Sequence, residues 1–439
     1  MICISSRQAP WKQGVLFCKN IIILDIELLS KTARKIKENY AKGGKCMSER
    51  IAYLQLINAD ANNNRFYRMR QEGNVIIVEF GRNGATPVTQ KKPVSLWDVI
   101  YNKKIAEGYV ETADLHIVEK KEVQNEKYAP IKDSMVRKFF DDICHYANKE
   151  LKTKYLVSWS DVTEEQINKA QELIKKIDNC TDLKKSKELL LELFAIIPRK
   201  MKYVADYLPS SLCEMGIILQ REQELLDVLA AQVSQDIILK NKSKEITILE
   251  ALGLEIRPVT TKEEEQILKF LSAESAPRYK RAYRIKNKKT DDRFYAYMKE
   301  HGMTDKNVSY LYHGSRNQNY YGLMTQGPLL NPNAPITGKM FGQGIYFANR
   351  AKKSINYTSL RGSYWAGGTS NQAFLAVYKV AYKNAMDVSC HTCEMTRYTA
   401  KKIAPYDAVF AHGGADLIND EIIIYNEAQC TLQYLIELQ

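Results

Sequence analysis

The hydrophobic period of this chain changes twice along its length, and that limits its fold more than any other feature. Between residues 50 and 122 apolar residues alternate with period two. Between 126 and 235 they recur at helical spacing, and beyond 245 the two periods mix. A strand hides alternate side chains and a helix hides a stripe, so such a chain must be built in separate units. The 439 residues leave room for about two to four domains, and 45% apolar residues can fill their cores. No apolar run is long enough to span a membrane. Nine scattered cysteines, an odd count without paired spacing, argue against a disulfide framework and for a reducing compartment. No repeat of domain-building length is visible.

The net charge of +13 favours anionic partners such as nucleic acid. Residues 1–46 alone contribute +6 of it, through nine Lys/Arg against three Asp/Glu. Lys42-Gly43-Gly44-Lys45-Cys46-Met47 back-translates into a run containing a bacterial ribosome-binding sequence. We therefore expect translation to start at Met47 in a bacterial or phage-borne gene, with residues 1–46 a mis-annotated or disordered extension. A genuine basic leader or mitochondrial presequence is the alternative. The expected location is cytoplasm or nucleoid for a bacterial chain and the nucleus for a eukaryotic one.

In the first unit, Ile51–Leu56, Phe66–Arg70 and Asn74–Phe80 read as strands, with turns at Asp60–Asn64, Gln71-Glu72-Gly73 and Gly81–Gly84. Ser95–Ala106 reads as a helix with Leu96, Val99, Ile100 and Lys103 at helical spacing. In the second unit Met135, Phe139, Ile143 and Tyr146 form one stripe. Thr163–Gln166 is a capping-box pattern that opens a helix bearing Ile167, Ala170, Ile174 and Ile177. Leu183–Ile197 and Leu212–Val233 are further helices, the first stopped by Pro198. A basic linker is expected at 236–244. After it come strands at Leu254–Val259, Tyr283–Lys286, Val308–His313, Gly344–Ala348, Ala373–Ala381, Ala408–Ala411, Glu421–Tyr425 and Leu432–Leu438. Helices are expected at Thr261–Ser272 and Asp291–Glu300. Short strands around few helices suggest an α+β domain with split sheets.

The residues that carry chemistry fall in the third unit. Leu311–Arg316, Met340–Ala348 and Lys353–Tyr357 supply His313, Tyr346, Tyr357, Ser354 and several glycines within about fifty residues. Two phenols can sandwich a flat ring by offset stacking. Ser354, three residues before Tyr357, would share a helical face with it and can bond an amide. Gly314 lets its backbone approach the same amide, and His313 can donate to a ribose hydroxyl. Glu421 lies inside an isoleucine-rich strand, where a carboxylate needs a partner or a purpose. The set suits a pocket that grips an aromatic amide beside a ribose. Cleaving that glycosidic bond builds positive charge at the anomeric carbon, which a carboxylate would offset. Cys390-His391-Thr392-Cys393 lacks a second ligand pair and reads as loop, so no metal is expected. His412-Gly413-Gly414 reads as a turn. No GxGxxG joins a strand to a helix, so a Rossmann mode of dinucleotide binding is not supported.

These motifs, with Asn419–Tyr425, Ala428-Gln429 and Tyr434-Leu435, resemble the catalytic domain of the poly(ADP-ribose) polymerases. The resemblance implies NAD as ADP-ribose donor, bound by His313, Gly314, Ser315, Tyr346, Ser354 and Tyr357. It implies a catalytic set of Glu421, His313 and Tyr346, with Glu421 at the nicotinamide-ribose hydroxyl and His313 at the adenosine ribose. Family members with this set elongate chains, and some transfer single units. Arg65–Tyr67, Phe80–Gly84 and Lys104–Tyr109 resemble the WGR domain of the DNA-dependent members, with Phe80 where the name-giving Trp would stand. That likeness implies binding of DNA ends or nicks, and Arg65, Arg68, Arg70, Phe80, Arg82, Lys91 and Lys92 are the candidate contacts. Val162–Ile177 and Phe194–Pro198 resemble the helical regulatory domain, which implies that the bundle hinders NAD until DNA loosens it.

The expected layout is a WGR-like domain at 47–122, a helical regulatory domain at 126–235 and an ADP-ribosyltransferase domain at 245–439. The expected fold class is α+β multidomain: a small β-rich domain, an all-α bundle and a C-terminal split-sheet fold. The function this implies is NAD-dependent protein (poly)ADP-ribosyl transfer, DNA-activated, by a monomer without membrane partners. Acceptors would be Asp, Glu or Ser side chains, its own included. Mono-transfer to protein or DNA ends, and a non-catalytic DNA-end-binding module, are the alternatives. Leu329 stands where relatives often place an arginine near the adenine, Lys339 replaces a common aromatic, and 383–407 is short and unusual.

Overall fold

The computed structural model describes residues 50–112, 128–240, 245–330 and 340–439. The expectations for residues 1–46, the end of the 236–244 linker, Asn331–Asn333 and Lys339 lie outside these.

The first unit is a five-stranded sheet in the order β4-β3-β2-β1-β5. Its strands are β1 (Ile51–Asn58), β2 (Asn63–Glu72), β3 (Val75–Arg82), β4 (Val88–Pro93) and β5 (Val110–Glu111), all antiparallel. Alternation turns Leu54, Tyr67, Met69, Ile76 and Val78 into one core, which helix α1 (Trp97–Ala106) caps with Trp97. Leu96 and Val99, placed inward by spacing, are exposed instead. The helix is anchored by the larger indole, with Ile100 and Tyr101 beside it, and this rotates Val99 outward. Strand β4 was not anticipated from Val-Thr-Gln-Lys-Lys-Pro. It is an edge strand held by backbone pairing to β3, and it buries no side chain.

The second unit is helical. It contains α2 (Ser134–Lys154), α3 (Glu164–Asp178), α4 (Leu183–Ile196) and α5 (Leu212–Lys240). Three of these begin on a side-chain cap. Asp133 accepts from the amides of Met135 and Val136, Thr163 and Gln166 form the capping box, and Asp182 accepts from Lys184 and Lys185. Phe139, Ile143, Ile174, Leu190, Phe194 and Leu229 fill the centre. Helix α5 runs past Val233 to Lys240, so the start of the expected linker is helical.

The third unit holds two sheets. One has the order β6-β7-β14-β10-β8, built from β6 (Leu254–Pro258), β7 (Tyr279–Asn287), β8 (Val308–Gly314), β10 (Ala373–Ala381) and β14 (Cys430–Leu438). The other has the order β11-β12-β13-β9, from β9 (Ile345–Phe347), β11 (Ala385–Val388), β12 (Ala408–Ala411) and β13 (Glu421–Ile424). Helices α6 (Thr261–Ser275), α7 (Lys288–Glu300) and the short α8 (Ala351–Ile355) flank them. The sheets meet where Tyr312 on β8 and Ala348 exchange backbone hydrogen bonds of 2.9 Å. That junction positions the site.

The bundle and the larger sheet share one core. Phe139 of α2 stacks on Tyr283 of β7 with centroids 4.0 Å apart and meets Phe374 of β10 edge-on. The first unit is tied to the bundle through polar contacts. Asn62 accepts from the Val204 amide at 3.0 Å, and Arg82 donates to the carbonyls of Asn62 and Lys202.

Candidate active site

The sheet junction gathers residues that lie far apart in the chain. Strand β8 ends on His313 and Gly314, β9 carries Tyr346, α8 carries Ser354, and β13 begins with Glu421. β13 lies between β12 and β9, so Glu421 sits on an interior strand and not on an edge. Ile423 is registered against Tyr346. Residues two apart share a face, so Glu421 and Tyr346 look the same way.

His313 is held by its Nδ1, 3.0 Å from the carbonyl oxygen of Tyr346. A carbonyl only accepts, so Nδ1 carries the proton and Nε2 of the neutral ring is an acceptor. His313 is thus set to accept from a hydroxyl, where spacing suggested that it would donate. Gly314 has a steric reason. A Cβ there would stand 1.8 Å from the carbonyl oxygen of Ser354, so only glycine lets β8 and α8 approach this closely.

The hydroxyl of Tyr346 donates to the Gly342 carbonyl at 2.8 Å and accepts from the Phe341 amide at 3.0 Å. Its polar end is spent on its own turn, which leaves the ring for a ligand. Burial pushes the phenol pKa up, with a smaller push from Glu421. Gly342 makes the turn possible at φ 72. Tyr357 departs from expectation. Helix α8 ends at Ile355, so Tyr357 lies in the following turn, its amide bonded to the Ser354 carbonyl at 3.1 Å. Ser354 is buried while Tyr357 is 41% exposed, and the two do not share a helical face. Burial and the charge of Glu421 raise the Tyr357 phenol pKa, which puts its ring within electrostatic reach of that carboxylate. The Ser315 hydroxyl accepts from Asn319 at 2.9 Å and serves its own loop.

Glu421 has a partner that sequence reasoning did not assign. Lys353 Nζ lies 2.8 Å from its Oε1, with both side chains 12% exposed, and also donates to the Asn419 carbonyl at 2.7 Å. A carboxylate in an apolar strand required a cation. The signal was therefore present, but not which lysine answered it.

The DNA candidates of the first unit divide between two faces. Arg65, Phe80, Arg82 and Lys92 line a basin of about 750 Å³. Tyr67, Tyr109, Lys103 and Lys104 line it too and were not singled out. No acidic residue lines it. Tyr67 and Phe80 stack at 5.6 Å, and Lys104 lies over the Tyr67 ring at 4.7 Å. Alternation puts Arg68, Arg70 and Lys91 on the other side, with Arg68 paired to Glu79 at 2.8 Å and Arg70 to Glu72 at 2.7 Å. Cys390 and Cys393 are exposed, and no cluster of three metal-ligating side chains occurs among the described residues. No helix among them is long and apolar enough to cross a membrane.

Two family models match the chain. Residues 261–406 match the poly(ADP-ribose) polymerase catalytic domain and residues 50–112 the WGR domain. The chain is 30% identical over 189 residues to uncharacterized protein 101L of Invertebrate iridescent virus 6, covering 42% of this chain and 79% of that protein. The chain belongs to the poly(ADP-ribose) polymerase family. It is also 31% identical over 153 residues to poly [ADP-ribose] polymerase 1 of Oryza sativa subsp. japonica, and 30% identical over 157 residues to poly [ADP-ribose] polymerase 2 of Homo sapiens. Those matches cover 30% and 29% of this chain but only 16% and 26% of the relatives. The catalytic-domain match of this polymerase-family chain takes in His313, Tyr346, Ser354 and Tyr357 and stops before Glu421. The WGR match contains the whole basin.

Proposed function

We propose that this protein is an NAD-dependent ADP-ribosyltransferase that DNA breaks activate, modifying protein side chains with release of nicotinamide. The single observation that carries the reading is Glu421, held by Lys353 on the same face as Tyr346 at the meeting of the two sheets. In this reading Tyr346 and Tyr357 face the two sides of the pyridine ring. The Gly314 backbone and Ser354 meet its carboxamide, and His313 Nε2 accepts from the adenosine ribose. The N-glycosidic bond breaks and nicotinamide leaves with the bonding pair. An acceptor oxygen bonds the anomeric carbon, and its proton passes to Glu421 or solvent. Glu421 offsets the charge developing on the sugar, which is where fixed charge counts most. Lys353 keeps the carboxylate ionised and aimed.

The WGR-like basin would take the phosphate backbone of a DNA end, five cations lining it without an acid. The bundle is in place to respond. It shares a core with the catalytic sheet, and Glu224 of α5 pairs at 3.3 Å with Arg316, three residues after His313. The test is incubation with labelled NAD, with and without nicked duplex. Transfer that rises with nicked DNA is the expected result. Transfer indifferent to DNA removes the activation step, and no nicotinamide release removes the enzyme. Product length on a gel separates chains from single units.

A further inference from the structure

Two large aromatic side chains stand in water beside the cleft. Tyr364 is 76% exposed and Trp365 is 62% exposed, against 41% for Tyr357. The loop that presents them is built, not slack. Thr358 and Ser363 are buried in it. The Ser363 hydroxyl donates to the Thr358 carbonyl at 2.7 Å and accepts from the Gly368 amide at 2.9 Å. The Ala366 amide donates to the Asn356 carbonyl at 3.1 Å, which ties the loop to the residue before Tyr357. The indole of Trp365 lies nearly parallel to the Tyr357 ring, at 18° with centroids 6.4 Å apart, and Tyr364 meets Trp365 edge-on at 4.7 Å. The Tyr357 pair is near the upper limit for contacting rings, so neither ring satisfies the face of the other.

The surrounding charge is one-sided. Residues 349–372 contain Arg350, Lys352, Lys353 and Arg361 and no Asp or Glu. Lys353 is committed to Glu421, Lys352 pairs with Glu274, and Arg361 bonds Asn371. Arg350 and Arg361 are exposed. Flat rings beside cations form a stacking platform for bases on a phosphate backbone. Both rings of the donor already have seats in the proposed function, on which this step rests. A third flat group must therefore arrive with the acceptor.

We propose that Trp365 and Tyr364 form a stacking subsite for an unpaired base of a nucleic-acid strand, which brings a strand end to the anomeric carbon as acceptor. The same chain already carries an aromatic and cationic basin suited to nucleic acid, and this favours a strand over a peptide. In the transfer step a terminal phosphate or hydroxyl oxygen forms the new bond to the anomeric carbon. The bond to nicotinamide breaks, nicotinamide takes the electron pair, and the acceptor proton leaves to Glu421 or solvent.

The full-length protein is titrated with a short single-stranded deoxyoligonucleotide. Indole emission is followed, with W365F as the blank for this residue. A dye-labelled copy of the strand gives the affinity of W365A by anisotropy. Saturable quenching in the parent that is absent in W365F, with at least about tenfold weaker binding by W365A, is the expected result. An unchanged affinity for W365A overturns the proposal. So does quenching by an ADP-ribose oligomer or an acidic peptide in place of the oligonucleotide. Nicotinamide release from NAD without acceptor is measured in parallel. Its absence removes the donor reading, whereas release that persists beside unchanged W365A binding removes only the subsite.

Discussion

The cleft at the sheet junction and the basin on the first unit use similar side chains in opposite ways. Both combine phenols with charge. In the cleft the charges are balanced and mostly buried: Glu421 has Lys353, His313 is pinned by a carbonyl, and the Tyr346 hydroxyl is bonded twice. In the basin five cations face open space with no acid among the lining residues. Bond cleavage needs a carboxylate at a fixed distance from a developing cation, so its geometry must be enforced by packing. Holding phosphates needs net charge and tolerates loose geometry. The difference explains why one site hangs on single atoms and the other on a count of cations.

That contrast can be broken in graded ways. Glu421→Gln keeps shape and removes charge. ADP-ribosyl transfer should fall about 10²–10³-fold or more while DNA affinity stays the same, with labelled NAD and a DNA-binding titration as the paired measurements. Loss of DNA affinity in this variant would show that the two sites are not separable. Gly314→Ala should come next, because the new methyl must displace the Ser354 carbonyl. A loss of about 1–3 kcal/mol, a lower melting temperature and weaker NAD binding are expected. In the basin, Lys103→Ala with Lys104→Ala should lower DNA affinity on any sequence. The slope of affinity against salt should shrink by about 2, and nicotinamide release without DNA should not change.

The smallest effect lies outside both sites. Arg257 grips Glu263 with two bonds of 2.8 Å, and that guanidinium, with the Thr260 amide and hydroxyl, lowers the Glu263 pKa to about 2 from 4.5. The folded pKa lies below the unfolded one, so this stabilisation is present above pH 4.5. It is lost as pH falls from 4.5 to about 2. Arg257→Ala should flatten the acid unfolding curve across that window and cost about 0.2–1 kcal/mol at neutral pH, read by denaturant titration. A larger cost would mean that surface pairs in this chain rival its buried one.

Much of the fold was legible because local chemistry and burial agree there. Ala373–Ala381 and Ala408–Ala411 are strands as read, since central strands are continuously apolar. The Thr163 box opens its helix because its two bonds are local. Strands β4 and β11 were not legible, because both sit at sheet edges where backbone pairing does the work. In the site, the need for a cation near Glu421 could be inferred and Lys353 could not. Choosing among 64 Lys and Arg takes a distance, and a sequence contains none.

The amino-acid order by itself determined the units, the periodic cores, the helix starts and the stock of reactive groups, because each depends on neighbours within a few residues. Tertiary structure alone decided which lysine meets Glu421, which nitrogen of His313 is occupied, which cations share the basin, and that Tyr364 and Trp365 stand beside the cleft. Those outcomes come from joining strands up to a hundred residues apart. There the closeness of two backbones is set by what each side chain leaves room for, as the bare Cα of Gly314 against Ser354 makes plain.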